Sequence, residues 1–336
     1  MTESTQMMDA LDNRVKRRGE RRDFFKAALG AAAFTAGATA LSFSSRADAQ
    51  TAPTEADVLN FALNLEYLEA QFYSYAAFGT GLDASLLTGT GTQGAVVAGQ
   101  KANLTDPLVI AYVNEIAADE IAHVKFLRTA LGSAAVSQPA IDVSVATFTA
   151  VATAAKVIGT GGLYPTATTF NPYADDNSFL LGAFIFEDVG VSAYKGAAPL
   201  LINQKATLEY AAGILAVEAY HAALVRTALF RRGVDTPASS LFQATELISN
   251  LRDSVDGGSD LDQGITPTTV TGVTTSAGAN QSVTISNIVP TDANGIVFSR
   301  SPAQVLSIVY LNNAAATTGG FFPKGVNGNV RTSGTT

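Results

Sequence analysis

The sequence predicts an all-α protein built on a four-helix bundle, with a long crossover between the second and third helices and an irregular C-terminal extension. Two observations lead to this prediction. The chain has only two histidines, and each follows a glutamate by three residues, at 120–123 and 218–221. Upstream of each copy, a glutamate leads seven residues on to a tyrosine, at 66–73 and 187–194. The chain therefore contains a duplicated pair of helices, each pair with a Glu helix and a Glu-x-x-His helix.

The first helix is predicted at 54–78. Thr54 followed three residues later by Asp57 is typical of a capping box at a helix start. Apolar residues then recur with a helical period until Gly79. The following stretch, 80–103, is rich in Gly and Thr and is predicted to be a loop.

The second helix is predicted at 106–131. Asp106 followed by Pro107 is a favourable N-cap and first helical position, and Gly132 marks the end. The long connection that follows, 133–176, suits a bundle whose middle helices are not simple hairpin neighbours.

Two further long helices complete the predicted bundle. A short helix is expected within the connection, at 147–158. The third bundle helix is predicted at 177–198 and the fourth at 204–232, with Gly233 at its C-terminus. Helices of this length are typical of bundles.

The C-terminal part differs in composition. A further helix is predicted at 237–255, a weak strand at 281–289, a short helix at 301–311 and an apolar loop at 319–323. No catalytic spacing is present there. We therefore expect a bundle over 50–235 and an extension over 236–336 that packs on the bundle or on a partner subunit.

Residues 1–49 are predicted to be an export signal rather than part of the fold. The segment 14–26 is dense in Lys and Arg, 27–43 is uncharged and rich in small and apolar residues, and Ala47-Asp48-Ala49 is a small-x-small cleavage site. The pattern resembles a twin-arginine signal and predicts a periplasmic or extracellular protein. The alternative is an uncleaved anchor, but 17 uncharged residues are short for a membrane-spanning helix.

Composition limits the partners and the metals. From Gln50 onward, 13 Lys and Arg face 23 Asp and Glu, which gives a formal net charge of −10 and argues against nucleic acid or an anionic membrane as partner. No stretch after the signal is predicted to span a membrane. The chain has no cysteine, so disulfides and thiolate metal sites are excluded. Oxygen ligands with a little nitrogen favour iron or manganese over structural zinc.

Six residues are the predicted metal ligands. Residues three apart on a helix share a face, so each Glu-x-x-His pair can aim a carboxylate and an imidazole at one point. This ligand set is the one used by di-iron and di-manganese carboxylate bundles. Four carboxylates in an apolar bundle would repel one another at severe cost, and two divalent ions would neutralise them. Glu120 and Glu218 are placed to bridge the ions, and each His completes one of them. The six predicted ligands are Glu66, Glu120, His123, Glu187, Glu218 and His221.

The ligand on the first helix has an alternative. Glu66 and Glu69 are three apart and can share a face, and Glu66 is preferred because it matches Glu187 through the seven-residue step to tyrosine. Glu69 is then a neighbour of the site or an alternate ligand. Tyr73 and Tyr194 are expected to pack in the core, with a hydrogen bond to a ligand carboxylate as the second interpretation.

Charged residues near the predicted ligands have simpler explanations. Asp119 and Asp188 adjoin ligand positions but point about 100° away on a helix, so a solvated or subunit-contact role is expected. Arg128 and Arg226 lie in the last turns of their helices, where interaction with the helix dipole is a sufficient reason for a basic residue.

Three stretches resemble one known family. They are 59–69, 119–123 and the tail segment 298–306. The chain is similar to the ferritin-like superfamily and, more narrowly, to the bacterial and plant ferritin-like proteins described as desiccation-related. The resemblance covers most of the chain after residue 49 and implies a four-helix bundle with a dinuclear centre.

Two functions are consistent with these residues. The first is an exported di-iron or di-manganese oxidoreductase, ferroxidase-like or catalase-like, that reacts with dioxygen or peroxide under oxidative or desiccation stress. The alternative is a structural or stress-protective envelope protein with a vestigial or purely structural metal site. Mineral storage is a weaker third option, and a homo-oligomer remains open in each case.

Overall fold

A computed structural model describes residues 53–274 and 280–334 of the chain, and the predicted export signal lies outside them. These residues are mainly helical, so the all-α prediction is confirmed. The helices are α1 Glu55–Phe78, α2 Pro107–Leu131, α3 Val145–Ala154, α4 Asp176–Phe184, α5 Glu187–Ala197, α6 Lys205–Asp235, α7 Leu241–Asp256 and α8 Pro302–Tyr310. The strands are β1 Val96–Val97, β2 Ile141–Asp142, β3 Thr268–Thr274 and β4 Asn280–Ile285.

The bundle has four helical positions. Three are filled by α1, α2 and α6, and the fourth by the consecutive helices α4 and α5. α1 packs along α2, α5 packs along α6, and contacts of α2 with α6 and of α1 with α5 close the ring. Each Glu-x-x-His helix therefore lies beside its own Glu helix and also touches the other Glu-x-x-His helix. The two copies of the sequence repeat therefore form two equivalent helix pairs, which pack against each other.

The starts of the first two helices follow the predicted capping chemistry. The Thr54 hydroxyl accepts a hydrogen bond from the amide of Asp57 at 3.2 Å, and the Asp57 carboxylate accepts one from the Thr54 amide at 2.9 Å. The Asp106 carboxylate accepts from the amide of Leu108 at 2.9 Å. Gly79 ends α1 in the left-handed conformation, with a φ of 76°. Both helix ranges were predicted to within a residue.

The third bundle helix differs from its prediction. A continuous helix over 177–198 was expected, but the chain breaks at Ile185 and Phe186 between α4 and α5. The amides of these two residues bond to carbonyls three residues back instead of four. The carbonyl of Phe184 instead accepts a hydrogen bond from Arg252 Nη1 of α7, at 2.6 Å. A side chain from the C-terminal extension thus satisfies a carbonyl at the break.

The fourth bundle helix runs past its predicted end at Gly233. A Cβ at that position would lie 2.8 Å from Cε1 of Phe242 on α7. The glycine is therefore explained by close helix packing rather than by a helix terminus, and α6 continues to Asp235.

The C-terminal extension contacts the bundle. α7 packs on α6, and α8 packs on both α7 and α5. The amide of Arg300 donates to the carbonyl of Ser192 on α5 at 3.0 Å. The predicted strand at 281–289 corresponds to β4, and its antiparallel partner β3 was not predicted. Phe321 and Phe322, in the predicted apolar loop, are buried.

One described helix is long and apolar enough to span a membrane by length and composition, namely α6, whereas none was expected. A core helix of a soluble protein can pass the same test. Glu218, His221 and Arg226 on α6 are buried against other parts of the protein. α6 therefore packs against the rest of the bundle through these residues, and its length and apolar composition are by themselves weak evidence for a membrane span.

Candidate metal centre

The six predicted ligands meet in the interior of the bundle. Two come from α2, two from α6, and one each from α1 and α5, so each helix pair contributes half of the cluster. None of the six residues is more than 8% exposed. Their potential ligand atoms form two groups, each with its atoms within 4.8 Å of one another. The first group is Glu66, Glu120, His123 and Glu218; the second is Glu187, Glu218 and His221.

His123 directs its Nδ1 atom into the first group. This nitrogen lies 3.1 Å from Oε2 of Glu66. It lies 3.6 Å from Oε2 of Glu120 and 3.7 Å from Oε1 of Glu218. Three carboxylates on three different helices therefore surround one imidazole nitrogen.

His221 has the corresponding arrangement in the second group. Its Nδ1 lies 3.0 Å from Oε1 of Glu120 and 3.8 Å from Oε2 of Glu187. On the opposite edge of the ring, Nε2 lies 3.1 Å from Oδ2 of Asp119. Glu120 therefore has one oxygen near each imidazole, as expected of a bridging carboxylate. Asp119 is placed to fix the orientation of the His221 ring.

Several inward-facing atoms are left without a hydrogen bond in the described part of the chain. These are both carboxylate oxygens of Glu120, both of Glu218, Oε2 of Glu187 and Nδ1 of His221. The 3.0 Å approach of His221 Nδ1 to Glu120 lacks hydrogen-bonding geometry. Buried polar atoms without partners are costly and call for an explanation. A cation bound between them would satisfy these atoms, so the residues present fit a metal site.

The pKa values of the metal-free cluster show that its buried carboxylates need positive charge or protons to offset them. Burial, reinforced by the charge of Glu120, raises the pKa of Glu66 to about 7 and that of Glu187 to about 8. Burial opposes charging of the two imidazoles, but neighbouring carboxylates raise the pKa of His123 to about 11 and that of His221 to about 9. Burial also acts to raise the pKa of Glu120, but the two histidines lower it to about 2. Protons therefore balance part of the negative charge where metal is absent.

Glu69 is buried beside the ligand groups rather than within them. The structure places Glu66 in the first group, while Glu69 faces Gly190 of α5. A Cβ on Gly190 would lie 3.7 Å from Oε1 of Glu69 and only 2.3 Å from Oε2 of Glu218. Sequence reasoning did not single out Gly190. The space it leaves admits the Glu218 carboxylate.

Two tyrosines connect the halves of the cluster. The Tyr73 hydroxyl on α1 donates to Oε1 of Glu187 on α5, and the Tyr194 hydroxyl on α5 donates to Oε1 of Glu66 on α1. Core packing was the favoured prediction, but the structure supports the hydrogen-bonded alternative. Each tyrosine holds one oxygen of a carboxylate and leaves the other directed at a histidine.

The expectation of a solvated role was incomplete for Asp119 and wrong for Asp188. Asp119 is 44% exposed at its side chain, yet it contacts His221. Asp188 is buried, with Oδ2 at 2.8 Å from Nη1 of Arg226 and 3.2 Å from Nη2 of Arg252. As the helical spacing predicted, Asp188 points away from the ligand cluster. The C-terminal extension covers that side of α5, so Asp188 is buried instead of solvated.

The helix dipole is not a sufficient explanation for the two arginines: Arg128 lies in the last turn of α2, but α6 continues nine residues beyond Arg226. Arg226 is 1% exposed and, besides Asp188, donates to four backbone carbonyls of the extension. Arg128 donates to the hydroxyl of Tyr67 at 2.5 Å and to the carbonyl of Thr88 at 2.6 Å. Both arginines make specific tertiary contacts that sequence spacing does not reveal.

Comparison with known proteins agrees with the resemblance found in the sequence. A family model described as ferritin-like domain matches residues 54–231. The chain is 31% identical over 281 residues to ferritin-like catalase Nec2 of Nesocodon mauritianus, covering 82% of this chain and 84% of the relative. It is 29% identical over 281 residues to desiccation-related protein PCC13-62 of Craterostigma plantagineum, covering 82% and 83%. No solved structure matches significantly.

The space at Gly190 can be tested by substitution. Gly190→Ala should displace the Glu218 carboxylate and lower bound metal, with an overpacking cost of about 1–3 kcal/mol in the free energy of unfolding. Gly213→Ala on α6 is the matched control, since a Cβ there meets nothing within 4 Å. The control should keep its metal and gain up to about 1 kcal/mol of helix stability. Equal metal content in the two variants, measured by elemental analysis with thermal unfolding, would contradict this assignment.

Metal uptake should release protons. At pH 7 the raised pKa values leave protons on His123, His221 and Glu187 in the metal-free protein, and metal ligands must be deprotonated. Release should diminish as pH rises past about 9, because Glu187 and His221 then lose their protons anyway. An indicator titration in weak buffer measures the proton release, and a release that grows with pH would refute the assignment.

The same raised pKa values predict that the metal-free fold loses stability as pH rises through about 7 to 9.

Asp119 should strengthen metal binding through His221. Asp119→Asn removes the charge that orients and polarises the ring, and we expect metal affinity to fall about 10- to 100-fold. Glu115→Gln removes the same charge from an exposed position one turn earlier on α2 and should have no effect. Competition against a chelator of known affinity measures both. Equal losses in the two variants would point to net charge rather than to the His221 contact.

Proposed function

The chain belongs to the ferritin-like domain family, and on that premise we propose that it is an exported protein with a dinuclear iron or manganese centre that disproportionates hydrogen peroxide. The observation that carries the proposal is the pair of ligand groups that share Glu218. Glu120 has one oxygen beside each histidine, and the two imidazole rings lie 6.3 Å apart between centroids. Glu120 and Glu218 each lie near both candidate groups, so these residues would hold two neighbouring cations better than a single ion.

The similarity to a relative named ferritin-like catalase supports peroxide as the substrate. Two peroxide molecules react to give two waters and one dioxygen, so one is reduced, the other is oxidised, and no external reductant is needed. The bound ions would supply the two-electron exchange between the two half-reactions. Dioxygen remains the alternative oxidant if iron is bound.

The residues of the chain supply geometry, exclusion of water and proton handling. The tyrosine hydrogen bonds to Glu66 and Glu187 fix the outer carboxylates before an ion binds. The ligands are buried, which excludes bulk water from the reacting centre. Glu69 lies beside Glu218 outside the ligand groups, and burial raises its pKa well above the usual range. Glu69 therefore holds a proton that it is placed to donate to a reacting peroxide oxygen and to take back afterwards.

Export and stress protection complete the proposal. The twin-arginine pattern in residues 1–49 favours a periplasmic or extracellular location, since that route carries folded proteins with their cofactors. A second candidate function, a protective scaffold with a structural metal site, is favoured by the similarity to a protein named desiccation-related. In both cases the metal is held by the same residues.

Metal content and oxygen evolution test the enzymatic proposal together. Purified protein should contain close to two ions of iron or manganese per chain and evolve dioxygen from peroxide. Glu120→Gln should abolish evolution because it removes a bridging charge. Glu115→Gln, an exposed residue on the same helix, should retain the wild-type rate. Well under one ion per chain in protein from its native compartment would eliminate the dinuclear centre.

Replacement of both histidines separates the enzyme from the scaffold. His123→Ala combined with His221→Ala should abolish oxygen evolution while the chain still folds, with a lowered melting temperature of the metal-free variant at pH 7 because two protonated imidazoles no longer offset the buried carboxylates. Loss of folding or assembly, in a chain whose wild type evolves no dioxygen, would favour the scaffold function.

A further inference from the structure

The two outer ligands are held in different ways. Glu66 lies in the middle of α1, which is continuous for 24 residues. Glu187 is the first residue of α5 and directly follows the break at Ile185 and Phe186. An unbroken helix fixes the direction of Glu66 through its own hydrogen bonds. The direction of Glu187 depends, besides its hydrogen bond from Tyr73, on whatever fixes the geometry of the break.

Arg252 of the C-terminal extension donates hydrogen bonds to the chain on both sides of Glu187. Its Nη1 donates to the carbonyl of Phe184 at 2.6 Å, before the break. Its Nη2 donates to Oδ2 of Asp188 at 3.2 Å, after the break. The guanidinium also lies over the Phe184 ring, with Cζ 4.7 Å from the centroid. A planar group with several donors in fixed directions can span such a junction, whereas an ammonium group cannot.

Arg252 is itself held rigidly. It is 1% exposed, and Asp262 accepts from its Nη2 at 2.9 Å while the second carboxylate oxygen lies 2.9 Å from Nε. Asp262 in turn accepts from Ser249 and pairs with Arg300. A fully buried ion pair with one directed hydrogen bond and a second close nitrogen–oxygen approach has little rotational freedom. The position of Arg252 is therefore set by the extension and imposed on α5.

We propose that Arg252 is a positioning residue for the metal centre, which fixes the junction of α4 and α5 so that the Glu187 carboxylate is directed at the second ligand group. Arg252 touches no ligand side chain and acts through Phe184 and Asp188. The C-terminal extension then acts on the metal centre indirectly, through the backbone that carries Glu187. The inference rests on the proposed metal centre but not on peroxide as its substrate.

Arg252→Lys tests the proposal against a matched control. Lysine keeps the charge, but its single ammonium group cannot pair with Asp262 and also reach both the Phe184 carbonyl and Asp188. Arg300→Lys is the control, because Arg300 is 0% exposed and pairs with the same Asp262, yet its other side-chain contacts are Ser192, Asp256 and Asp253 rather than the residues flanking Glu187. Manganese(II) is titrated into each metal-free protein below its melting temperature. Arg252→Lys should lower the affinity at least about tenfold, and Arg300→Lys less than about twofold.

A double-mutant cycle distinguishes positioning from general destabilisation. If Arg252 acts through Glu187, Arg252→Lys should cost little further affinity in a Glu187→Gln background, because that ligand is already impaired. The same loss in both backgrounds would overturn the proposal. Wild-type affinity in Arg252→Lys, or an equal loss in Arg300→Lys, would also overturn it.

A second variant covers the case in which Arg252→Lys does not fold. Arg252→Met combined with Asp262→Asn removes one positive and one negative charge together, a change that buried pairs often tolerate. This variant should fold and show the same loss of affinity, and retained affinity would refute the proposal. Failure of the wild type to bind manganese or iron would instead remove the proposed function, so the two failures are distinguishable.

Discussion

The interaction on which the structure depends is the mutual repulsion of carboxylates in the interior of the bundle. Glu66, Glu69, Glu120, Glu187 and Glu218 are each 7% exposed or less, and only two imidazoles lie among them. Such a group of charges is unstable in an apolar interior unless cations or protons neutralise it. The raised pKa values of the metal-free cluster show how strongly protons are held there. The hydrogen bonds from tyrosine and the absence of a side chain at Gly190 make the cluster sterically feasible but do not neutralise it.

The internal repeat explains how the two halves of the site meet. Positions at which the two copies carry different residues explain how the halves differ. Tyr67 and Asp188 each directly follow an outer ligand, and each accepts a hydrogen bond from the arginine five residues after a histidine, Arg128 or Arg226. In the first half this contact joins a neutral hydroxyl to an arginine that remains partly exposed. In the second half it is a buried ion pair. The second half thus carries a buried negative charge beside its ligand helix, and arginines of α6 and the extension neutralise it.

Sequence reasoning predicted the parts of the structure that local rules determine. The ends of α1 and α2 follow from capping residues near in sequence, and the six candidate ligands follow from helical spacing, the scarcity of histidine and the repeated seven-residue step from Glu to Tyr. The break before Glu187 and the burial of Asp188 could not be predicted in this way. Both depend on Arg252, more than 60 residues further along the chain. The tyrosine contacts also link different helices, so a helical period can place the hydroxyls on an inner face but cannot identify their acceptors.

The buried ion network between the bundle and its extension is better explained by geometry than by stability. Arg226, Arg252 and Arg300 are among the largest fully buried side chains, and Asp188, Asp256 and Asp262 balance their charge. Ion pairs of this kind are often no more stabilising than apolar residues of similar volume, since desolvation offsets the attraction. An apolar interface would suffice to attach the extension to α5, but it would supply no donor for the Phe184 carbonyl at the break. Directed hydrogen bonds to the Phe184 carbonyl and to Asp188 allow one arrangement, and a metal ligand that begins a helix requires such a constraint.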